Sequence, residues 1–322
     1  MRILVCGGAG YIGAHMCKIL AENGFAVTVF DNLSTGFKKN VRWGKLICGD
    51  LLDQAAIDTC LNQEPFDAVM HFSALAIVSD SITQPGKYYE NNVTGTLNLL
   101  SAMARHGVDK FIFSSTAAVY GSPETTTITE ETTVNPATPY GASKWMAERI
   151  LKDFEIAHKI RSVIFRYFNA AGAEPAGQIG EDHDPETHLI PNILQSLNGK
   201  DNNKLNIFGN DYPTPDGTCI RDYIHVNDIC QAHLSALTYL QNGGQSDCFN
   251  IGNGNGFSIL EVIAAVERVT GKKVEYEIKA RREGDPAILV ANSDKLKQRL
   301  NWQPEFTELD QIIETAWRYY CR

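Results

Sequence analysis

The sequence lacks the features that mark secreted, membrane and nucleic-acid-binding proteins. No C-x-x-C pair occurs among its 8 cysteines, so we expect reduced thiols, a cytoplasmic protein and no metal site. No apolar run reaches the roughly 18 residues of a membrane-spanning helix, and the run from Met1 to Cys6 is too short for a signal peptide. The net charge of −9 and the absence of Lys/Arg runs exclude nucleic acid and anionic membranes as expected partners.

What the sequence does contain is the composition and patterning of a globular α/β protein. Hydrophobic residues at 43% and charged residues at 21% lie near the averages for such proteins, which argues against disorder. Short apolar runs that end in small or polar residues alternate with helical patterns, as buried parallel strands do when helices connect them. We therefore predict a doubly wound parallel sheet of the Rossmann type, with a smaller, mostly C-terminal substrate domain.

A glycine turn follows the first apolar run. Glycines stand at positions 7, 10 and 13, and such a turn lets backbone amides and a helix N-terminus approach a pyrophosphate. The next strand-like run ends at Asp31, where a carboxylate would accept a hydrogen bond from an adenosine ribose and repel a 2′-phosphate. The pattern predicts NAD rather than NADP as cofactor. The alternative for Asp31 is an ordinary strand-end residue that caps a turn.

Two further strand-like runs end in residues suited to a ligand crevice. Asp50 and Leu51 follow one run, and we predict that they flank the adenine. Phe72 and Ser73 follow the other, and we predict that they lie along the cofactor. His71 precedes them, but a single histidine at a buried strand end is more often a structural residue than a catalytic base.

The catalytic candidates are a tyrosine and a lysine four residues apart. On a helix Tyr140 and Lys144 would lie on one face, roughly 6 Å apart at Cβ. A lysine ammonium, and any second cation nearby, favours the phenolate, so we expect the pKa of Tyr140 to fall from about 10 toward neutrality. Tyr140 is therefore a candidate general base. Thr116 ends an apolar, strand-like run and would present its hydroxyl to the same ligand.

The predicted domain boundaries follow from a change in amino-acid composition along the chain. Loops rich in Pro, Gly and Asn dominate residues 169–222, so we predict a cofactor domain at 1–168 and a substrate domain at 169–322. A segment at 222–240 is expected to return to the first domain. Two long helices are predicted at 85–105 and 143–158, and their apolar spacing suits pairing with a second copy of the chain.

These motifs resemble the extended short-chain dehydrogenase/reductase superfamily and, within it, the UDP-glucose 4-epimerases. The segments that carry the resemblance are Gly7 to Gly13, Asp31-Asn32, Asn91-Asn92, Ser114-Ser115-Thr116 with Val119-Tyr120-Gly121, Tyr140 to Lys144, Arg166-Tyr167-Phe168-Asn169, Arg221 to Val226 and Arg281-Arg282-Glu283-Gly284-Asp285. The resemblance implies reversible 4-epimerisation of UDP-galactose and UDP-glucose in galactose metabolism, through a transient 4-keto sugar and tightly bound NAD, by a homodimer.

The resemblance also implies residue roles beyond those given above. Further cofactor contacts would come from Tyr11, Ile12, Asn32, Asn91, Tyr140, Lys144 and Tyr167. Substrate contacts would come from Thr116, Tyr140, Asn169, His188, Leu189, Phe208, Arg221, Arg282, Asp285 and Leu289. Arg221 and Arg282 would bind the diphosphate, because each guanidinium group can donate to two phosphate oxygens at once, with structural salt bridging as the alternative. Leu289 would lie beside the C2 substituent of the sugar, or would be an ordinary core residue of its strand.

Departures from the family pattern leave more than one function open. Thr116 stands where serine is usual, Ala76 where some members carry a cofactor-binding lysine, and His188 where many have asparagine. A nucleotide-sugar dehydratase would need an Asp-Glu pair where this chain has Ala117 and Ala118. An epimerase of UDP-glucuronate or UDP-N-acetylglucosamine would have the same motifs. The motifs are also compatible with weak activity of a UDP-glucose 4-epimerase on the N-acetylhexosamine pair. A non-catalytic NAD sensor would have lost the Tyr/Lys pair.

Overall fold

The computed structural model describes residues 1–199, 204–282 and 285–322. The strands are β1 (Arg2–Cys6), β2 (Ala26–Asp31), β3 (Lys45–Cys48), β4 (Ala68–His71), β5 (Lys110–Thr116), β6 (Thr127–Ile128), β7 (Arg161–Tyr167), β8 (Asn169–Ala171), β9 (Leu205–Phe208), β10 (Ile220–His225), β11 (Asp247–Ile251), β12 (Gly256–Ser258), β13 (Tyr276–Lys279) and β14 (Ile288–Ala291). The α-helices are α1 (Tyr11–Glu22), α2 (Gln54–Gln63), α3 (Val78–Thr83), α4 (Pro85–Tyr88), α5 (Gly95–His106), α6 (Pro139–His158), α7 (Leu189–Leu197), α8 (Val226–Gln241), α9 (Ile259–Thr270), α10 (Asp294–Leu300) and α11 (Leu309–Tyr320). Short 3₁₀ turns span Lys38–Asn40 and Ala117–Tyr120, and a π-helical turn spans Tyr89–Thr94.

The main sheet has seven strands in the order β11-β7-β5-β4-β1-β2-β3. The pairs that β1 forms with β2 and β4 are parallel, as are β2 with β3 and β4 with β5. The strand order reverses at β1, and such a switch point opens a crevice at the carboxyl ends of the neighbouring strands. The predicted Rossmann-type doubly wound sheet is confirmed.

The strands of this sheet are apolar because helices cover them. Within β1, residues 3–6 are buried, and on one face Leu4 and Cys6 join a core with Phe111 and Phe113 of β5. Leu99 of α5 packs into the same core, together with further residues of α2, α5 and α6. Because central strands such as β1, β4 and β5 are buried on both faces, their sequences are continuous apolar runs rather than alternating ones.

The chain divides into two compact units. The first unit comprises residues 1–121, 134–166 and 230–249, and the second comprises 122–133, 167–229 and 250–322. The sequence predicted a cofactor domain at 1–168, a substrate domain at 169–322 and a return segment at 222–240. Those boundaries separate domains by their function, and a division into compact units does not test function. They stay predictions.

The second unit contains two small sheets. One has the path β12-β10-β14-β6, with β8 also paired to β10, and the other pairs β13 with β9. Its core joins α7, α9 and α11 through residues such as Ile193, Val262 and Ile312. Helix α9 begins with a capping box, in which Ser258 and Glu261 satisfy each other's backbone N–H groups.

Of the two predicted long helices, one is interrupted and the other begins earlier than predicted. The helix predicted at 85–105 is interrupted by the π-helical turn Tyr89–Thr94, and the helix predicted at 143–158 begins at Pro139. Proline favours the first position of a helix because it has no N–H to leave unpaired there. Over the ranges described above, no helix is both long and apolar enough to cross a membrane.

Candidate active site

The glycine turn packs tightly against the neighbouring strand ends. Gly7 has φ +81°, and a Cβ atom on it would lie 2.5 Å from the backbone nitrogen of Ser73. A Cβ atom on Gly13, in the first turn of α1, would lie 2.1 Å from the carbonyl oxygen of Gly7. Only glycine fits these positions, and the result is an open backbone cradle at a helix N-terminus. This cradle fits the pyrophosphate of a dinucleotide.

Asp31 lies at the rim of the same cleft. Its Oδ2 accepts a hydrogen bond from the backbone N–H of Ala9, and its Oδ1 accepts one from that of Leu33. The carboxylate therefore fixes the glycine turn and the turn after β2, which is the structural role considered as the alternative. Each oxygen keeps further acceptor capacity, so the same carboxylate could also accept a hydrogen bond from a ribose hydroxyl.

The cleft brings together most of the predicted cofactor residues of the first unit. It is lined by Gly7, Gly10, Phe30, Asp31, Asn32, Ser34, Thr35, Gly36, Gly49, Asp50, Leu51, Phe72, Ser73, Ala74, Leu75 and Asn91. The side-chain amide of Asn32 donates to Asp50 at 2.9 Å and so joins the ends of β2 and β3. Sequence analysis missed Ser34, Thr35 and Gly36, although a Ser-Thr-Gly run directly after a strand is itself a turn signal.

Several predicted cofactor residues do not line this cleft. Tyr11 and Ile12 begin helix α1, with the ring of Tyr11 edge-on to that of His15 at 5.2 Å. Gly13 packs against the glycine turn, as described above. Tyr167 ends β7 and lies in the second unit. Tyr140 and Lys144 form a separate group on α6.

Asn92 connects the cleft wall to α6, and sequence analysis assigned it no role. Its Oδ1 accepts from the N–H of Leu75, and its Nδ2 donates to the Leu75 carbonyl oxygen at 3.0 Å. The same amide lies 3.1 Å from Oγ of Ser143, whose hydroxyl donates to the Tyr140 carbonyl oxygen. Asn92 is buried, so this clamp fixes the cleft wall relative to the helix that carries Tyr140. Its neighbour Asn91 lines the cleft.

Tyr140 lies in the first turn of α6, against the end of β5. Thr138 caps the helix by accepting from the N–H of Gly141 at 3.3 Å. A Cβ atom on Gly141 would lie 2.5 Å from the carbonyl oxygen of Ala118, so glycine allows the helix start to touch the turn that follows Thr116. Thr116 accepts from the N–H of Ala118 at 3.1 Å and hydrogen-bonds the phenol of Tyr140. The predicted pairing of Thr116 with Tyr140 is thus present in the structure.

The charge state of this group differs from the sequence-based expectation. Burial raises the pKa of Tyr140 above 10, and only the hydrogen bond with Thr116 lowers it. The expected fall toward neutrality is therefore wrong for the residues that surround Tyr140 in this structure. Burial also lowers the pKa of Lys144 to about 7, against the attraction of Glu148, so the lysine carries less positive charge than the sequence suggested. Lys144 donates to the carbonyl oxygen of Ser114 at 2.8 Å.

Glu148, one turn beyond Lys144, anchors a buried charge network. It accepts a 2.5 Å hydrogen bond from Ser115 and forms a two-point ion pair with Arg166, whose other nitrogen lies 2.9 Å from the hydroxyl of Tyr120. Sequence analysis did not single out Glu148. The network fixes the positions of α6, β5 and β7 relative to one another, and it therefore fixes where Tyr140 lies along β5.

His71 is not a catalytic base in this arrangement. Burial, together with the smaller effect of the nearby Lys144 charge, lowers its pKa to about 3. Its Nε2 lies 3.0 Å from Oγ1 of Thr96, which in turn donates to the Asn92 carbonyl oxygen. A neutral, hydrogen-bonded imidazole at a strand end is the structural role that the sequence favoured.

The second unit gathers several predicted substrate residues around β10. Arg221 and Asp285 form a partly buried ion pair, which is the structural role considered as the alternative for Arg221. The guanidinium of Arg282 lies 4.0 Å from the centre of the Phe208 ring, in cation–π contact. Leu289 is the register partner of Arg221 in the parallel pair of β10 and β14. Glu283 and Gly284 of the same motif lie outside the described residues.

The remaining predicted substrate residues take backbone-supporting positions in the second unit. Asn169 donates to the carbonyl oxygen of Asp222 at 2.9 Å. His188 caps α7, which begins at Leu189. Burial alone would lower the pKa of His188, but the carboxylates of Glu181 and Glu186 raise it to about 10.

Comparison with known proteins places this geometry in a family. Residues 3–252 match the model of the NAD dependent epimerase/dehydratase family. The chain is 46% identical to the UDP-glucose 4-epimerase of Rhizobium meliloti strain 1021, over 100% of this chain and 97% of that one. A crystal structure of UDP-glucose 4-epimerase from Brucella ovis with NAD is similar at 45% identity and TM-score 0.96, covering 99% of this chain and 98% of the other. The Bifidobacterium longum enzyme with NAD+ and UDP is similar at 35% identity and TM-score 0.94, covering 100% and 98%.

Proposed function

This chain belongs to the NAD-dependent epimerase/dehydratase family, and we propose that it catalyses the reversible 4-epimerisation of UDP-galactose and UDP-glucose with bound NAD. The observation that carries the proposal is the group formed by Tyr140, Thr116 and Lys144, which Asn92 ties to the wall of the dinucleotide cleft. A cleft without such a group would support binding alone. The group supplies a proton acceptor next to a cofactor that exchanges hydride.

Tyr140 is proposed as the general base. Its phenolate would take the proton of the sugar 4-hydroxyl, and the protonated phenol would return it when the 4-keto intermediate is reduced. Thr116 already uses one lone pair on the N–H of Ala118, so its own O–H is available to donate to the phenolate or the sugar oxygen. When bound, NAD supplies the hydride acceptor and donor at C4.

The raised pKa of Tyr140 assigns a second role to the cofactor site. Burial alone keeps the phenol protonated near neutral pH. An oxidised nicotinamide is a cation, and a cation nearby favours the phenolate over the neutral phenol. Lys144 would add to this effect once it is charged. Beside the oxidised cofactor Tyr140 would therefore be a more effective base than burial alone allows.

Substrate affinity must come mainly from the nucleotide, because the hexosyl ring has to turn over before its other face is reduced. In the second unit we assign the diphosphate to Arg221 and Arg282, and the uridine to Phe208 and Asp285. Arginine forks suit phosphate oxygens, and the Arg221–Asp285 ion pair would hold the guanidinium ready for them. Asn169, His188 and Leu189 are proposed to contact the diphosphate or the sugar.

The competing functions are weakened by particular residues. A dehydratase needs an acid and a base where Ala117 and Ala118 follow Thr116, and neither side chain can transfer a proton. A silent NAD sensor has no need of a buried lysine, whose charge is costly to bury. Epimerisation of UDP-glucuronate or of UDP-N-acetylglucosamine remains the alternative on this same group of residues.

We further propose a cytoplasmic homodimer without nucleic-acid or membrane partners. None of the 8 cysteines forms a disulfide bond, which suits a reducing compartment. Helices α5 and α6 carry exposed apolar side chains, among them Leu97, Trp145 and Ile156, as a dimer face would. Light scattering at micromolar concentration should give twice the chain mass, and a clean monomer mass would exclude the dimer.

The direct test is turnover without added cofactor. Purified protein is incubated with UDP-galactose and no added NAD, and the products are followed by proton NMR. We expect UDP-glucose to accumulate until both sugars are present at constant ratio, because bound NAD is regenerated in each cycle. Conversion only after addition of NAD would contradict tight binding, and no conversion of either UDP-hexose would contradict the proposed reaction.

A further inference from the structure

A compact cluster of metal-binding side chains lies in the second unit, in the loop before α7. Glu181, His183, Glu186 and His188 each place one ligand atom so that all four atoms lie within 4.8 Å of one another. The Nδ1 atom of His188 is 2.7 Å from Oε1 of Glu181 and 3.2 Å from Oε1 of Glu186. The Nδ1 atom of His183 is 3.3 Å from Oε1 of Glu181 and 3.7 Å from Oε2 of Glu186.

The four histidine–glutamate separations are close to the spacing of ligand atoms around one metal ion. Zinc bonds of about 2.0–2.1 Å to nitrogen and oxygen place neighbouring ligand atoms about 3.3 Å apart. The separations of 2.7 to 3.7 Å lie on both sides of that value, with His183 facing one oxygen of Glu186 and His188 facing the other. Two carboxylates at this distance repel each other unless positive charge lies between them, which a bound cation would supply in place of protonated histidines.

Glu186 provides an independent indication of a ligand. Its side chain is only 3% exposed. Its Oε1 accepts from the backbone N–H groups of Thr187 and His188, which fixes the orientation of the carboxylate. The other oxygen, Oε2, is buried without a hydrogen-bond partner among the described residues and is turned toward His183. The Nδ1 atom of His183 lies 3.7 Å away, beyond hydrogen-bond distance, so a metal bond would satisfy this buried oxygen more completely.

We propose that Glu181, His183, Glu186 and His188 form a binding site for a divalent cation of the zinc type. Two imidazoles and two carboxylates suit zinc and neighbouring transition metals better than calcium or magnesium, which prefer oxygen ligands alone. Four protein ligands leave no open position, so the ion holds the loop rather than activating water. The site lies outside the group that carries the proposed base. It also departs from the sequence-based expectation of no metal site.

The ion would order the segment that leads into α7. The hydroxyl of Tyr320 donates to the carbonyl oxygen of Glu181 at 2.8 Å, which ties one end of the loop to α11. His188 ties the other end to the first turn of α7. A metal bridging Glu181 and His188 would close this segment into a rigid ring and fix the imidazole of His188. Without a metal, two protonated histidines paired with two glutamates are the competing arrangement.

The test is metal binding by the full chain without an affinity tag, after chelator treatment and alkylation of its thiols. Zinc is titrated against a chromogenic competitor, and cobalt(II) replaces zinc for absorption spectroscopy. We expect one zinc ion per chain, an intense visible cobalt band typical of four-coordinate geometry, and a rise in melting temperature on zinc binding. Absence of the cobalt band in the wild-type protein would overturn the proposal without recourse to any variant.

Variants locate the ion. His183→Ala and Glu186→Gln remove one ligand each and should weaken zinc binding by at least about 100-fold, because even supporting residues around a metal contribute 10- to 100-fold. His158→Ala, at the exposed end of α6, is the matched control and should bind zinc as the wild type does. Circular dichroism checks that each variant is folded. Equal zinc affinity in the wild type and in folded Glu186→Gln would show that the ion lies elsewhere and would refute the site.

Discussion

The Nζ atom of Lys144 lies 2.8 Å from the carbonyl oxygen of Ser114 and donates a hydrogen bond to it. This bond joins α6 to the end of β5, two residues before Thr116. Tyr140, one helical turn earlier, is thereby brought against the Thr116 hydroxyl. Lys144 therefore positions Tyr140 as well as affecting its charge state. Because Lys144 is buried, its charge should also affect the stability of the protein.

Replacing Lys144 with methionine should abolish turnover and stabilise the cofactor-free protein. Burial lowers the pKa of Lys144 from 10.5 to about 7, so the folded state disfavours the charged lysine. Below pH 7 the lysine is charged in both the folded and the unfolded protein, so the folded state carries the full free-energy penalty of the buried charge. Between pH 7 and 10.5 the unfolded chain binds one more proton than the folded protein, so this penalty decreases as pH rises. We expect Lys144→Met to gain about 1 to 2 kcal/mol at pH 6, and much less near pH 10. Urea unfolding at both pH values measures the difference.

The comparison of pH values separates this effect from the lost hydrogen bond to Ser114. That loss is the same at every pH, whereas the burial cost of the charge is not. Lys159→Met, at the exposed C-cap of α6, controls for the substitution itself. A stability difference between Lys144→Met and wild type that does not change from pH 6 to pH 10 would contradict the lowered pKa.

Thr116 should act through its hydroxyl alone. Thr116→Ser keeps the hydroxyl and should retain most of the activity, while Thr116→Val should lower kcat by about 10- to 100-fold, since hydrogen bonds to charged groups contribute 1.5–3 kcal/mol. The hydrogen bond lowers the pKa of Tyr140, so the pH at which activity rises should move upward in Thr116→Val. Equal losses in both variants, or an unmoved pH profile, would assign Thr116 a purely structural role.

The pKa of Tyr140 should depend on the cofactor. Burial raises it in the protein without NAD, and a nicotinamide cation should lower it. The difference between ultraviolet phenolate titrations of wild type and Tyr140→Phe isolates this residue from the other tyrosines. The assay compares cofactor-free and NAD-loaded protein. A Tyr140 signal that titrates at the same pH in both forms would refute the proposed effect of the cofactor on the pKa of the base.

Much of the fold could be predicted because its signals are local. The apolar run of β1, the glycines at 7 and 13 and the strand-end Asp31 are neighbours in sequence, and each follows from backbone sterics or hydrogen bonding. Tyr140 and Lys144 were identifiable for the same reason, because helical spacing is a local property. Thr116 ends β5, as its place at the end of an apolar run predicted, and the role of its hydroxyl stays a prediction.

What the sequence could not provide depends on contacts between distant residues. Asn92 holds both backbone groups of Leu75, and Glu148 pairs with Arg166, but no spacing rule connects these positions. Burial decides the pKa of Tyr140, and sequence analysis considered only its charged neighbour. The π-helical turn before α5 was missed because its six residues include no proline or glycine that would mark an irregularity. The His183 to His188 spacing was visible, but His188 was interpreted only as a substrate contact.

Substrate breadth should depend on Leu289, the register partner of Arg221. A large side chain there would leave room only for a 2-hydroxyl, whereas a small one would admit an N-acetyl group. We expect UDP-glucose and UDP-galactose to be preferred over the N-acetyl pair by about 10- to 200-fold, since a methylene-scale mismatch is worth 1–3 kcal/mol. Leu289→Tyr should raise this kcat/KM ratio and Leu289→Ser should lower it. Equal ratios in all three proteins would make Leu289 an ordinary strand residue.

The central claim is that the phenol of Tyr140 transfers the proton of the sugar 4-hydroxyl. Tyr140→Phe removes one oxygen atom and should leave UDP affinity, measured by calorimetry, close to that of the wild type. Tyr276→Phe, on the exposed strand β13, is the matched control and should keep wild-type turnover. We predict that Tyr140→Phe lowers kcat for conversion of UDP-galactose to UDP-glucose by about 10²- to 10⁴-fold, the usual contribution of a general base. A Tyr140→Phe protein that retains more than about a tenth of wild-type kcat would contradict the account.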